Sequence, residues 1–144
     1  MLKEYAEVRL SPIEGYGVFA KKPIPKGTVW WKVESGEYIT IDEVQFKNLI
    51  LSENTPKIKD LIDTILTYSF YDEDIDRMIF CLDNGRYVNH SDNPNSKAYS
   101  LNDSYWSVTT KDIEENEEIT EDYYVHFHCN WVRSCSQRIS PNCW

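Results

Sequence analysis

Two short stretches of this chain hold the residue types from which a site could be built. Asn89-His90-Ser91-Asp92-Asn93-Pro94-Asn95 gathers amide, imidazole, hydroxyl and carboxyl groups into seven positions. About thirty residues on, Glu117-Glu118-Ile119-Thr120-Glu121-Asp122-Tyr123 ends an acidic run on a phenol. An Asn side chain is both donor and acceptor, so Asn89 can read an amine and lock a loop at once. A third stretch, Gly15-Tyr16-Gly17, lets backbone amide and carbonyl groups come close to a ligand, because glycine has no Cβ. Taken alone, such a turn is more often an ordinary hairpin. A lone His is more often a structural residue than a base, and His90 is not assigned as a general base.

The elements that must position these residues are short. Glu4 to Leu10 alternates loosely, Gly15-Tyr16-Gly17 turns into Val18-Phe19-Ala20, and Pro23, Pro25 and Gly27 break the chain before Thr28-Val29-Trp30-Trp31. The period then changes. Thr40 and Glu43 carry a capping-box spacing, with Phe46, Leu49 and Ile50 on one helical face. Thr55-Pro56 predicts a second start, and Ile58, Leu61, Ile62, Ile65 and Leu66 follow at helical offsets. Residues 41–66 therefore read as a helical insert. Strand-like segments return, with Asn84-Gly85 predicted as one hairpin turn and Asn102-Asp103-Ser104 as another. Many short strands with one helical insert predict an α+β, mainly β fold.

At 144 residues the chain is expected to form a single domain, 1–144, with a cysteine- and aromatic-rich tail over 126–144. Its 24 acids against 15 bases give a net charge of −9. That opposes direct nucleic-acid binding, which needs basic surface, and suits a basic protein partner or simple solubility. No stretch approaches the ~20 apolar residues of a membrane helix, and no signal peptide is visible. A cytoplasmic location is the default, with nuclear or host-delivered locations open. Oligomeric state is not legible.

From about Val8 to Tyr124 the order of these signals resembles that of SET-domain protein lysine methyltransferases. The glycine turn, Ile24-Pro25-Lys26-Gly27, the Asn-His-Ser motif and the Glu-Ile-Thr-Glu-Asp-Tyr run follow in compatible order. The resemblance implies a β fold of small sheets in which a C-terminal segment is threaded through a loop, as a pseudoknot. It implies S-adenosylmethionine as cofactor, held by Gly15, Tyr16, Gly17, Asn89 and His90. His90 would also hold the crossing of the two segments. Tyr123 would be the catalytic residue, shaping and polarising the transfer site. Phe127 and Trp131 fall where an aromatic closes over adenine. The acceptor implied is a lysine in a basic segment lying along the helical insert.

This chain departs from the family at three places. Asp92 stands where a zinc-cluster cysteine is frequent. Cys129, Cys135 and Cys143 could hold zinc with His126, His128 or Cys81 as fourth ligand, but their wide spacing favours unligated thiols. Glu121 lies where the family carries a Phe or Tyr that limits the degree of methylation. The usual channel tyrosine is unmatched, so Tyr68, Tyr87 and Tyr105, with Glu121, are the substrate-channel candidates; aromatic walls suit a lysine stem and its cation. A different class of reading also stands: a SET-fold peptide-binding module with weak catalysis.

Overall fold

The computed structural model describes residues 2–123 and Trp131. Contacts divide the chain into two compact units, one built from Met1–Tyr38 with Cys81–Tyr123, the other from Ile39–Phe80 with Tyr124–Trp144.

The first unit opens with a one-turn helix α1 (Leu2–Tyr5) and the hairpin β1 (Ala6–Leu10) and β2 (Tyr16–Ala20), paired antiparallel from Ala6↔Ala20 to Leu10↔Tyr16. Strand β3 (Val29–Val33) follows after Gly27. The second unit carries β4 (Tyr38–Ile41), α2 (Glu43–Leu51), α3 (Pro56–Tyr68), β5 (Ser69–Asp72) and β6 (Arg77–Cys81). The first unit then resumes with a 3-10 turn (Asn84–Tyr87), β7 (Asn89–His90), β8 (Ser96–Leu101), β9 (Ser104–Thr109) and β10 (Glu118–Glu121). The sheets are small: β1-β2-β10-β7 and β3-β9-β8 in the first unit, and β4-β6-β5 in the second.

The placement of β10 positions the site. It pairs antiparallel with β2 through Glu118↔Phe19 and Ile119↔Val18, and parallel with β7 through Thr120↔Asn89 and Glu121↔His90. Val18 and Ile119, which anchor this pairing, have no exposed surface. Parallel neighbours cannot be joined by a tight turn. The chain between β7 and β10 is accordingly spent on the β8–β9 hairpin and the loop behind it. Its two-residue turn, Asn102-Asp103, has φ of 49° and 61°. Positive φ at both central positions matches the right-handed twist of the flanking strands. The predicted hairpin forms, but Ser104, expected in its turn, pairs with Leu101 as the first residue of β9.

In the second unit both helices form, and α3 runs two residues beyond the predicted end. Thr55 caps α3 and Pro56 opens it, as expected. The α2 cap is displaced from its predicted place. Thr40 lies inside β4 and is not free to cap. Asp42 takes the role instead: its Oδ1 accepts the Gln45 N–H at 2.8 Å, and Gln45 Oε1 accepts the Asp42 N–H at 2.9 Å. Phe46, Ile62, Ile65, Leu66, Met78 and Trp131 make the core here. Leu61, counted on the apolar face of α3, is about half exposed.

The Asn84-Gly85 hairpin does not form. Asp83 Oδ1 accepts the Gly85 N–H at 2.9 Å and closes a 3-10 turn, while the Asp83 carboxylate also takes the Trp31 indole N–H at 2.9 Å. Gly85 lies so close to that indole that a Cβ would overlap it. Strand β6 pairs instead with β5, from Ser69↔Phe80 to Asp72↔Arg77. No helix among the described residues is long and apolar enough to cross a membrane.

Candidate functional site

Strand pairing brings Asn89 and His90 alongside Thr120 and Glu121, and Tyr123 follows at once. The two chemical motifs therefore meet. Tyr123 O–H donates to the Val88 carbonyl in a short hydrogen bond. Its backbone N–H donates to His90 Nδ1 at 3.1 Å, and the two rings lie 5.5 Å apart. With Nδ1 accepting, the proton of a neutral imidazole sits on Nε2, which faces Asp92 Oδ1 at 3.0 Å. His90 thus ties the loop to the residue that carries the phenol. Ser91 N–H donates to the Glu121 carbonyl at 3.0 Å, extending the parallel ladder by one bond.

The glycine turn joins the same place. Asn89 Nδ2 lies 3.2 Å from the Glu14 carbonyl, 3.1 Å from the Tyr16 carbonyl and 2.8 Å from Glu118 Oε1. Its Oδ1 accepts nothing from the described residues. Gly15 has φ +48°, a conformation costly for other residues, and a Cβ there would meet only open space. Tyr16 is about half exposed and packs edge-on against Tyr87, centroids 5.8 Å apart. The Tyr87 hydroxyl accepts from Arg86 Nη2 at 3.1 Å. A small zwitterion would find here backbone groups at the turn and an uncommitted amide oxygen suited to an ammonium.

Residues to which the sequence assigns no separate role hold this arrangement together. Asn95, only 4% exposed, gives Nδ2 to the Glu118 carbonyl at 2.8 Å and takes the Thr120 N–H on Oδ1 at 2.9 Å. Ser11 and Glu118 lock the turn from below. Nothing local marks Ser11, which finds its partner 107 residues away.

The other candidates are placed differently. Glu121 directs its carboxyl inward. Ser96 Oγ donates to Oε1 at 2.8 Å after accepting from the Trp30 indole, also at 2.8 Å, and Ser107 bonds it too. Burial is the larger influence and raises its pKa above the usual carboxylate range; the serines oppose that rise. Tyr105 is buried, edge-on to Tyr38 at 5.2 Å. Tyr68 ends α3 in the second unit. Trp131, expected near adenine, is a core residue of the second unit: its ring packs against Phe46, and its indole N–H donates to Asp76 Oδ1 at 2.9 Å. Phe127, Cys129, Cys135 and Cys143 lie outside the described residues, as do His126 and His128. Cys81 is buried, and burial pushes its thiol up to about 12, opposing the thiolate a metal would need. Among the described residues no cluster of His, Cys, Asp and Glu could hold a metal ion.

Residues 15–124 match the SET domain family, and the chain belongs to that family. Solved structures of similar fold include a Plasmodium falciparum protein assigned as a histone methyltransferase. It is 20% identical, with 88% of this chain and 96% of that chain covered and a TM-score of 0.56. Another is the Polycomb Repressive Complex 2 of Chaetomium thermophilum, autoinhibited and bound to S-adenosylmethionine: 18% identity, TM-score 0.67, covering 90% of this chain but 16% of that one. A humanized mutant of the same complex with an inhibitor gives 19% identity and a TM-score of 0.63 over 89% of this chain and 16% of that one. At such identities the likeness is one of fold. No curated protein matches by sequence. The mainly β architecture of small sheets is that of the SET fold.

Proposed function

We propose that this protein transfers a methyl group from S-adenosylmethionine to the side-chain amine of a lysine in a protein. The observation that carries the reading is the meeting of Tyr123 with the Val88–His90 segment, beside a glycine turn already tied to Asn89. When bound, S-adenosylmethionine supplies a methyl on a positive sulfur, which an uncharged amine can displace. Asn89 Oδ1 and the backbone of Gly15, Tyr16 and Gly17 suit its ammonium and carboxylate, and the His90 backbone stands next to them.

The Tyr123 O–H donates to the Val88 carbonyl, and a phenol oxygen that donates can also accept. Such an oxygen stabilises a methyl that carries partial positive charge, through C–H···O contacts. It also fixes one wall of the transfer site, and alignment supplies much of the acceleration in a displacement. The acceptor lysine must lose its proton, against an ordinary pKa of about 10.4. A nearby positive charge lowers that value, and water takes the proton. The net charge of −9 favours a basic acceptor segment.

Calorimetry with S-adenosylmethionine tests the first half of this reading, and transfer of radiolabelled methyl to core histones and a lysine-rich peptide tests the second. Tyr123→Phe should lower kcat about a hundredfold or more while leaving cofactor affinity nearly unchanged. Equal labelling by that variant removes Tyr123 from the chemistry. Binding without any transfer would favour a peptide-binding module on the SET fold.

A further inference from the structure

We infer that Glu118 is the positioning residue of the cofactor cradle, fixing which face of the Asn89 amide is offered to the ligand amine. The inference rests on the methyl-donor reading above. Asn89 Nδ2 has two hydrogens and three acceptors around it, and the nearest is Glu118 Oε1 at 2.8 Å. The turn carbonyls of Glu14 and Tyr16 stand at 3.2 and 3.1 Å on the same side. The amide nitrogen therefore faces inward, and Oδ1 is the atom presented outward. The reversed amide would offer a donor to an ammonium, which cannot accept it.

The same carboxylate fastens the turn. Ser11 Oγ donates to Glu118 at 2.8 Å and 2.9 Å to its two oxygens, and it accepts the Ile13 N–H at 2.9 Å. Ser11 N–H donates to the Gly15 carbonyl at 2.8 Å. One acid thus holds the loop before β2 and the residue opening β7 against a single strand, β10. Gly17 completes the arrangement, since a Cβ there would overlap the Glu118 carboxylate. The requirement for glycine at 17 is set by Glu118 as well as by any ligand.

The test compares two probes: S-adenosylmethionine, and 5′-methylthioadenosine, which keeps the nucleoside and sulfur but lacks the amino-acid part. Glu118→Ala should weaken S-adenosylmethionine about tenfold or more and leave 5′-methylthioadenosine unaffected. Glu118→Gln should stay within about threefold of wild type, because its Oε1 can accept from Asn89 and its amide can donate to Ser11 Oγ. Should Glu118→Ala fail to fold, Ser11→Ala keeps the carboxylate but removes its hold on the turn, and a smaller split between the probes in the same direction is expected. Equal loss of both probes, or no loss of either, overturns the assignment while the methyl-donor reading stands. Failure of the wild-type protein to bind S-adenosylmethionine overturns that reading and this assignment with it.

Discussion

Glu121 sits two residues before the phenol, and its carboxyl is enclosed by Ser96 and Ser107. Burial disfavours its charged form, so its folded pKa lies above its unfolded one. Between those two values the folded protein binds more protons than the unfolded chain, and stability falls as pH rises through that window. Glu121→Gln removes the penalty and keeps the shape. The melting-temperature gain of the variant over wild type should therefore be small near pH 4 and grow toward pH 8. A gain independent of pH would mean that the carboxyl ionises as easily folded as unfolded. At this scale the meeting of Asn89 and His90 with Tyr123 was legible through the resemblance, on the order of the motifs that carry them. The Glu118–Ser11 and Asn95–Thr120 contacts were not, because a hydroxyl or an amide shows no local sign of a partner over a hundred positions away, or of one on a strand inserted beside it.

Elements were legible where the signal was local. Helix α3 declares itself by Thr55, Pro56 and the apolar period that follows, and the second hairpin by its Asn102-Asp103-Ser104 run, of which Ser104 proves to be strand. The α2 start was misplaced by two residues because two overlapping capping spacings compete, and the end of β4 decides between them. The Asn-Gly signal at 84–85 failed for a tertiary reason, since Trp31 and the Asp83 cap outweigh hairpin propensity. Strand β5 escaped notice because Ser69–Asp72 is short and its partner decides its state. Two substitutions check these accounts by thermal or urea unfolding. Asp42→Ala removes the cap and should cost about 1 kcal/mol, where no change would mean the box is ornamental. Asp103→Gly replaces a residue at φ 61° with the one that takes positive φ freely. It should stabilise by up to about 1 kcal/mol, the left-handed penalty less the entropy of glycine. A loss would show that the Asp103 side chain matters more than its backbone.

At the scale of the molecule, the sheet order was the least legible feature. The resemblance implies that a C-terminal segment is threaded through a loop, but the order β2-β10-β7 is not legible, since a strand of four residues carries no address. Charge, by contrast, is read directly. On the proposed reading, the excess of 24 acids over 15 bases would draw a basic acceptor segment from a distance. Salt screens that attraction over about 10 Å at 0.1 M. Chemistry inside an enclosed site is screened far less than encounter across open solvent. Raising salt from about 50 mM to about 300 mM should therefore increase KM for a lysine-rich acceptor several-fold and leave kcat nearly constant. The KM for S-adenosylmethionine, a small ligand with little net charge, should move much less. If the acceptor KM is flat across this range, the acidity serves solubility alone, and recognition must come from contacts at the lysine itself.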